Sequence, residues 1–90
     1  MRQRIRIIAE YYGYETQREQ LVEECAELIQ SVSKCKRSIP GSYENFKEEL
    51  ADVLIMAQQL RYIIGEKSIN DIIDKKLNRQ IERIKTNEKS

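Results

Sequence analysis

Histidine is absent from this 90-residue chain. That argues against a di-iron helical bundle, which draws part of its ligand set from Glu-x-x-His, and against the usual catalytic zinc site. Cysteine is scarce. Cys25 and Cys35 stand ten residues apart on one predicted helix, about 15 Å at 1.5 Å rise per residue, which is beyond the roughly 7 Å a disulfide spans. Within one subunit they stay free thiols, and both read as small core or boundary residues. Nowhere does the chain hold the roughly 18–20 uninterrupted apolar residues of a membrane span, and its opening Met1-Arg2-Gln3-Arg4-Ile5-Arg6 has no signal-peptide core. A cytoplasmic protein is expected. An excess of either charge is also missing: 16 Lys and Arg face 15 Asp and Glu, for a net charge of +1. No long-range field steers nucleic acid or an anionic membrane, so function has to come from local clusters.

What is present is helical pattern. Ile5, Ile8 and Tyr12 keep helical spacing, widened by Ile7 and Tyr11, and Gly13 offers a left-handed stop. Thr16 with Glu19 matches a capping box and opens a second helix through Leu21, Val22, Cys25, Leu28, Ile29 and Val32. Its last turn gathers Lys34, Lys36 and Arg37 at the negative helix end. Pro40-Gly41 breaks it, Ser42 caps a third helix, and Gly65 ends that one. The third helix is apolar nearly all round beyond Phe46, as expected of a segment covered on several sides. Ser68 with Asp71 repeats the capping box before a fourth helix carrying Ile69, Ile72, Ile73, Leu77, Ile81 and Ile84. The tail Thr86–Ser90 is polar and reads as frayed. Residues 1–90 therefore form one all-α domain, a four-helix subunit. A domain this size buries only about 60–65 % of its unfolded surface, so a partner subunit is expected.

Two acidic pairs organise the chain, Glu24 with Glu27 and Glu49 with Asp52. Residues three apart share a helix face. Set antiparallel, the apolar stripes Leu21, Cys25, Leu28, Val32 and Phe46, Leu50, Val53, Ala57, Leu60 bring the four carboxylates across a groove. Like charges so placed raise one another's pKa, and a hard divalent cation such as Mg²⁺ relieves them. The plainer reading is a solvated acidic face paired with Lys or Arg. Against it, Glu49 and Asp52 share their sector with Met56 and Ile63, and Glu23, Glu24 and Glu27 crowd into five residues with no basic partner one turn away. On the fourth helix Lys76, Arg79 and Arg83 share one side and suit phosphate, or else form a solvated basic face. Tyr11, Tyr12 and Tyr14 either stack on a base or pack at an interface.

Glu23-Glu24-Cys25-Ala26-Glu27-Leu28 followed by Glu48-Glu49-Leu50-Ala51-Asp52-Val53-Leu54-Ile55 resembles the two motif helices of MazG-type, all-α nucleoside triphosphate pyrophosphohydrolases, and Lys76-x-x-Arg79-x-x-x-Arg83 resembles their basic segment. The resemblance covers about residues 14–85. It implies that Glu24, Glu27, Glu49 and Asp52 hold Mg²⁺, with Mn²⁺ a substitute, that Glu23 and Glu24 serve catalysis with Glu23 activating water, and that Lys76, Arg79 and Arg83 contact phosphate. It further implies a homodimer or homotetramer that cleaves the α–β bond of a (d)NTP to (d)NMP and pyrophosphate in nucleotide-pool house-cleaning. The competing class is a helical oligomerisation or nucleotide-binding regulatory module whose acids only set register.

Overall fold

The computed structural model describes residues 1–89, with side chains described as far as Asn87. Three helical elements follow one another: α1 (Arg2–Lys36), α2 (Ser42–Ile64) and α3 (Glu66–Lys89). There is no strand among the described residues, and no helix there is long and apolar enough to cross a membrane. The expected count of four helices becomes three because Gly13 does not stop the first one. Its φ of 80° and ψ of 175° put a single non-helical residue between two helical pieces, a conformation open essentially to glycine alone. One residue is enough to change direction, so the helix resumes at Tyr14 without a loop.

The same economy displaces the expected caps. Gly65 alone separates α2 from α3, so Ser68 and Asp71 fall inside α3, where Asp71 accepts from Lys67 at 3.0 Å. Thr16 and Glu19 likewise fall inside α1, with Glu19 paired to Arg18 at 3.3 Å. At the start of α2 the cap position is Gly41, and Ser42 is the first helical residue without a capping bond. The turn between α1 and α2 is a Schellman motif. Ser38 is left-handed at φ 55°, its N–H donates to the Cys35 carbonyl at 3.0 Å, and Ile39 N–H donates to the Lys34 carbonyl at 3.2 Å. Pro40 follows, where a residue that cannot continue the helix is favoured.

α1 and α2 form an antiparallel hairpin. Glu24 meets Glu49 and Asp52 at one level, while Glu10, earlier in α1, meets Tyr62, later in α2. The seam has heptad spacing. On α1 the covered positions include Gln17, Leu21, Glu24, Leu28, Ser31 and Cys35, with Cys25 and Val32 of the expected stripe half-buried beside them, and on α2 they include Ser42, Phe46, Glu49, Val53, Met56, Leu60 and Ile63, with Gln59 buried alongside. Steps of alternately three and four residues keep a seam facing its partner along its length. This corrects the α2 stripe, because Leu50 and Ala57 are exposed and Glu49 and Met56 take the seam positions beside them. Glu24 and Glu49 therefore sit in the seam, with the exposed Glu27 and Asp52 beside it.

Apolar burial inside the chain is small, with Ala9, Met56 and Leu60 its buried hydrophobic residues. α3 touches α2 lightly and keeps its backbone away from α1. Its Ile72, Ile73, Leu77, Ile81 and Ile84 are all exposed, as are Leu54, Ile55 and Ile64 of α2. The α3 helix continues through Thr86 to Lys89, past the point where a frayed tail was expected, and Ser90 lies outside the described residues.

Candidate metal centre and active site

Helical rise and the seam register place three carboxylates at the middle of the hairpin. Glu24 of α1 and Glu49 and Asp52 of α2 each offer an oxygen within 4.8 Å of the others. Glu24 and Glu49 are half-buried and Asp52 is exposed, so the cluster opens toward solvent on the Asp52 side. Each seam carboxylate has one oxygen tied to its own helix. Glu24 Oε1 accepts from Gln20 Nε2 at 2.9 Å, and Glu49 Oε1 accepts from Asn45 Nδ2 at 3.5 Å. The other oxygens, Glu24 Oε2 and Glu49 Oε2, are buried with no partner.

Two unpartnered anionic oxygens inside a helix seam are costly, since a buried polar group without a hydrogen bond forfeits its hydration. The carboxyl of Glu49 is pushed above the ordinary range, first by desolvation and then by the adjoining carboxyl of Glu27, with the charges of Asp52 and Glu24 adding to it. Glu27 thus stands against Glu49 at the edge of the trio. Oxygen-only donors, excess negative charge and two free inward lone-pair sites fit a hard divalent cation better than a soft or borderline one.

The expected ligand set is therefore brought together in large part: Glu24, Glu49 and Asp52 converge, and Glu27 adjoins Glu49. Glu23 is exposed and outside the trio. Lys76, Arg79 and Arg83 are exposed on α3, away from the hairpin seam. Arg79 and Arg83 line a shallow depression with Glu82, Thr86 and Asn87. Tyr11, Tyr12 and Tyr14 surround the Gly13 kink and are exposed, Tyr11 against Tyr12 edge to face and Arg18 over the Tyr14 ring at 5.4 Å.

Sequence reasoning did not assign the supports Gln20 and Asn45, although each lies four residues before the carboxylate it holds, the spacing at which helical side chains meet. It also passed over Gln17 and Gln59, which are buried in the hairpin. The heptad spacing back from Glu24 and forward from Asp52 would have pointed to both.

Among the described residues the chain is an all-helical protein without strands, whose hairpin seam brings together a carboxylate trio that could hold a divalent cation. The family model for the MazG nucleotide pyrophosphohydrolase domain matches residues 12–87. The chain belongs to that family, which implies a hydrolase acting on nucleotides. No curated protein and no solved structure matches it significantly.

Proposed function

We propose that the chain is a Mg²⁺-dependent nucleoside triphosphate pyrophosphohydrolase that cleaves between the α and β phosphates, releasing a nucleoside monophosphate and pyrophosphate. The observation that carries this reading is the pair of buried, unpartnered oxygens, Glu24 Oε2 and Glu49 Oε2, converging with Asp52. Glu24, Glu49 and Asp52 would hold the ion, with Glu27 joining through its place beside Glu49. When bound, Mg²⁺ neutralises polyphosphate charge and acidifies the attacking water. Gln20 and Asn45 keep the two seam carboxylates in one rotamer, so their free oxygens need no reorganisation. Glu23, next to Glu24 on the open side, is the group we assign to accept the proton of that water as its oxygen bonds to the α-phosphorus. The bond from that phosphorus to the bridging oxygen breaks, and pyrophosphate leaves with the electron pair.

Phosphate contacts are assigned to Lys76, Arg79 and Arg83. Their distance from the trio within one chain supports delivery by the α3 of a second copy, because the exposed isoleucine and leucine face of α3 is the kind of surface another subunit covers. The active species is then a homodimer or homotetramer acting in the cytoplasm on (d)NTPs, as in nucleotide-pool house-cleaning, with Mn²⁺ able to replace Mg²⁺. The same apolar face favours one other reading, a helical oligomerisation module without catalysis. Release of pyrophosphate from a panel of NTPs and dNTPs, with and without Mg²⁺, separates the two. Folded protein that turns over no member of the panel would remove the enzyme.

A further inference from the structure

Gln17 and Gln59 are among the most deeply buried residues of the hairpin, at 3 % and 2 % exposure, and the Oε1 of each has no hydrogen-bond partner. Ser31, equally buried in the same seam, shows the ordinary solution, since its hydroxyl donates to the Leu28 carbonyl at 2.7 Å. The oxygens of the two glutamines have no such outlet, and each unmade buried hydrogen bond of this kind calls for an explanation, a bound group among them. Their placement relative to the carboxylates is regular. Gln17 precedes Glu24 by seven residues and Gln59 follows Asp52 by seven. In an antiparallel hairpin both offsets run the same way, about 10 Å toward the Gly13 end at 1.5 Å per residue.

Resting on the function proposed above, we infer that Gln17 and Gln59 read the base of the nucleotide, and that the substrate is one whose base carries an exocyclic amino group. Ten ångströms is comparable to the reach from the α-phosphate through the ribose to the outer edge of a base. Between the carboxylates and the amides the seam presents Leu21, Val53 and Met56, an apolar stretch suited to sugar and ring faces. A cavity of about 700 Å³ adjoins this end, between the start of α1 and Gln58, Arg61 and Tyr62 of α2, with Gln17 and Gln59 behind its wall and not in it, room on the scale of a small-molecule site. The piece of α1 before Gly13 closes over this end through exposed polar contacts, Glu10 with the Tyr62 hydroxyl at 2.6 Å and Arg2 with Glu66 at 2.7 Å. Movement about Gly13 that releases those contacts, and with them the buried Ala9, opens the amides to a base. Both unpartnered atoms are acceptors. An amino group supplies the donors they need, whereas the carbonyl that replaces it in uracil or hypoxanthine sets oxygen against oxygen. A site built to bond a donor discriminates strongly against an analogue that lacks it.

The test is kcat/KM for the pairs CTP against UTP and ATP against ITP, each exchanging one amino group for a carbonyl, for wild type, Gln17→Met and Gln59→Met. A parallel titration uses their non-hydrolysable α,β-methylene analogues. Wild type should favour the amino-bearing member of at least one pair by tenfold or more. Either substitution should bring that ratio to within threefold of unity while thermal stability holds or rises, because an unpartnered polar group has been removed. Turnover with ratios unchanged in both variants, or a wild-type preference for UTP and ITP, would overturn this inference and leave the hydrolase standing. Absence of both turnover and analogue binding in wild type would overturn the two together. Failure of the methionine variants to fold would show the amides to be structural, which also overturns it.

Discussion

Replacing Glu49 by glutamine probes the centre most directly. Glutamine keeps the length of the side chain and a carbonyl to accept from Asn45, and it removes one charge from a place where three carboxylate oxygens lie within 4.8 Å. In the absence of divalent metal the variant should melt at a higher temperature than wild type, since Glu49 is desolvated and repelled by Glu27, Asp52 and Glu24. With metal the order should reverse. An ion bound only to the native state at 100 times its Kd adds about 2.7 kcal/mol, and about 4–8 °C per kcal/mol for a domain of this size makes that a rise of roughly 10–20 °C in wild type. Loss of a ligand weakens binding at least by the 10–100-fold that outer-shell losses cost. A 100-fold loss leaves about 0.4 kcal/mol at the same concentration, a shift of roughly 2–3 °C. Acid gives a further check. A folded-state pKa raised above the unfolded one stabilises at low pH and loses that contribution as pH rises through the folded value. Metal-free wild type should therefore gain on Glu49→Gln as pH falls from neutrality. Differential scanning fluorimetry with EDTA, Mg²⁺ and Mn²⁺ over pH 5–8 reads all of this. A variant that melts below wild type in EDTA and keeps the full Mg²⁺ shift would refute the reasoning.

Gly13→Ala meets no atom within 4 Å at the new Cβ, yet it forces an L residue to φ 80° and ψ 175°. A loss of about 1–3 kcal/mol in denaturant unfolding is expected from backbone strain alone, and a neutral result would mean that the kink relaxes. Ser38→Gly should do the opposite, stabilising by up to about 1 kcal/mol, because Ser38 holds a left-handed Schellman position; a fall in melting temperature would contradict that. The Glu10 carboxyl is held below its ordinary value by the Tyr62 hydroxyl and then by Arg6, so its contribution is present above the unfolded carboxylate pKa and lost as pH falls through the lower folded value. Tyr62→Phe should flatten that acid-side loss in a pH-dependent melting series, and an unchanged profile would assign the acid sensitivity elsewhere. Glu23→Gln should lower kcat by about 10²–10⁴-fold, the usual worth of a general base, with the Mg²⁺ shift in melting temperature retained; undiminished kcat would release Glu23 from its role.

Local chemistry in the sequence carried much of the fold. Helical spacing marked the apolar runs, Pro40 with Gly41 marked the turn, and Gly13 and Gly65 marked the changes of direction. Gly65 does end α2 at Ile64, but Gly13 read as a helix stop gave one helix too many, and the capping boxes at Thr16 and Ser68 lie where the helices run straight through. A single residue with positive φ can kink a helix as well as stop it, and spacing does not distinguish the two.

The sequence by itself determined that Glu24, Glu27, Glu49 and Asp52 lie on helix faces at matching spacing, which with their flanking residues carried a resemblance to the MazG family over about residues 14–85, and the family model matches residues 12–87. Only the tertiary structure decided which oxygens meet. The relative register of α1 and α2 put Glu24 and Glu49 into the seam with Asp52 and Glu27 at its edge, left Glu23 outside, and carried Lys76, Arg79 and Arg83 away on α3. The reason is physical: a helix's own periodicity decides which residues share a face, while the level at which two faces meet depends on packing between residues far apart in the chain.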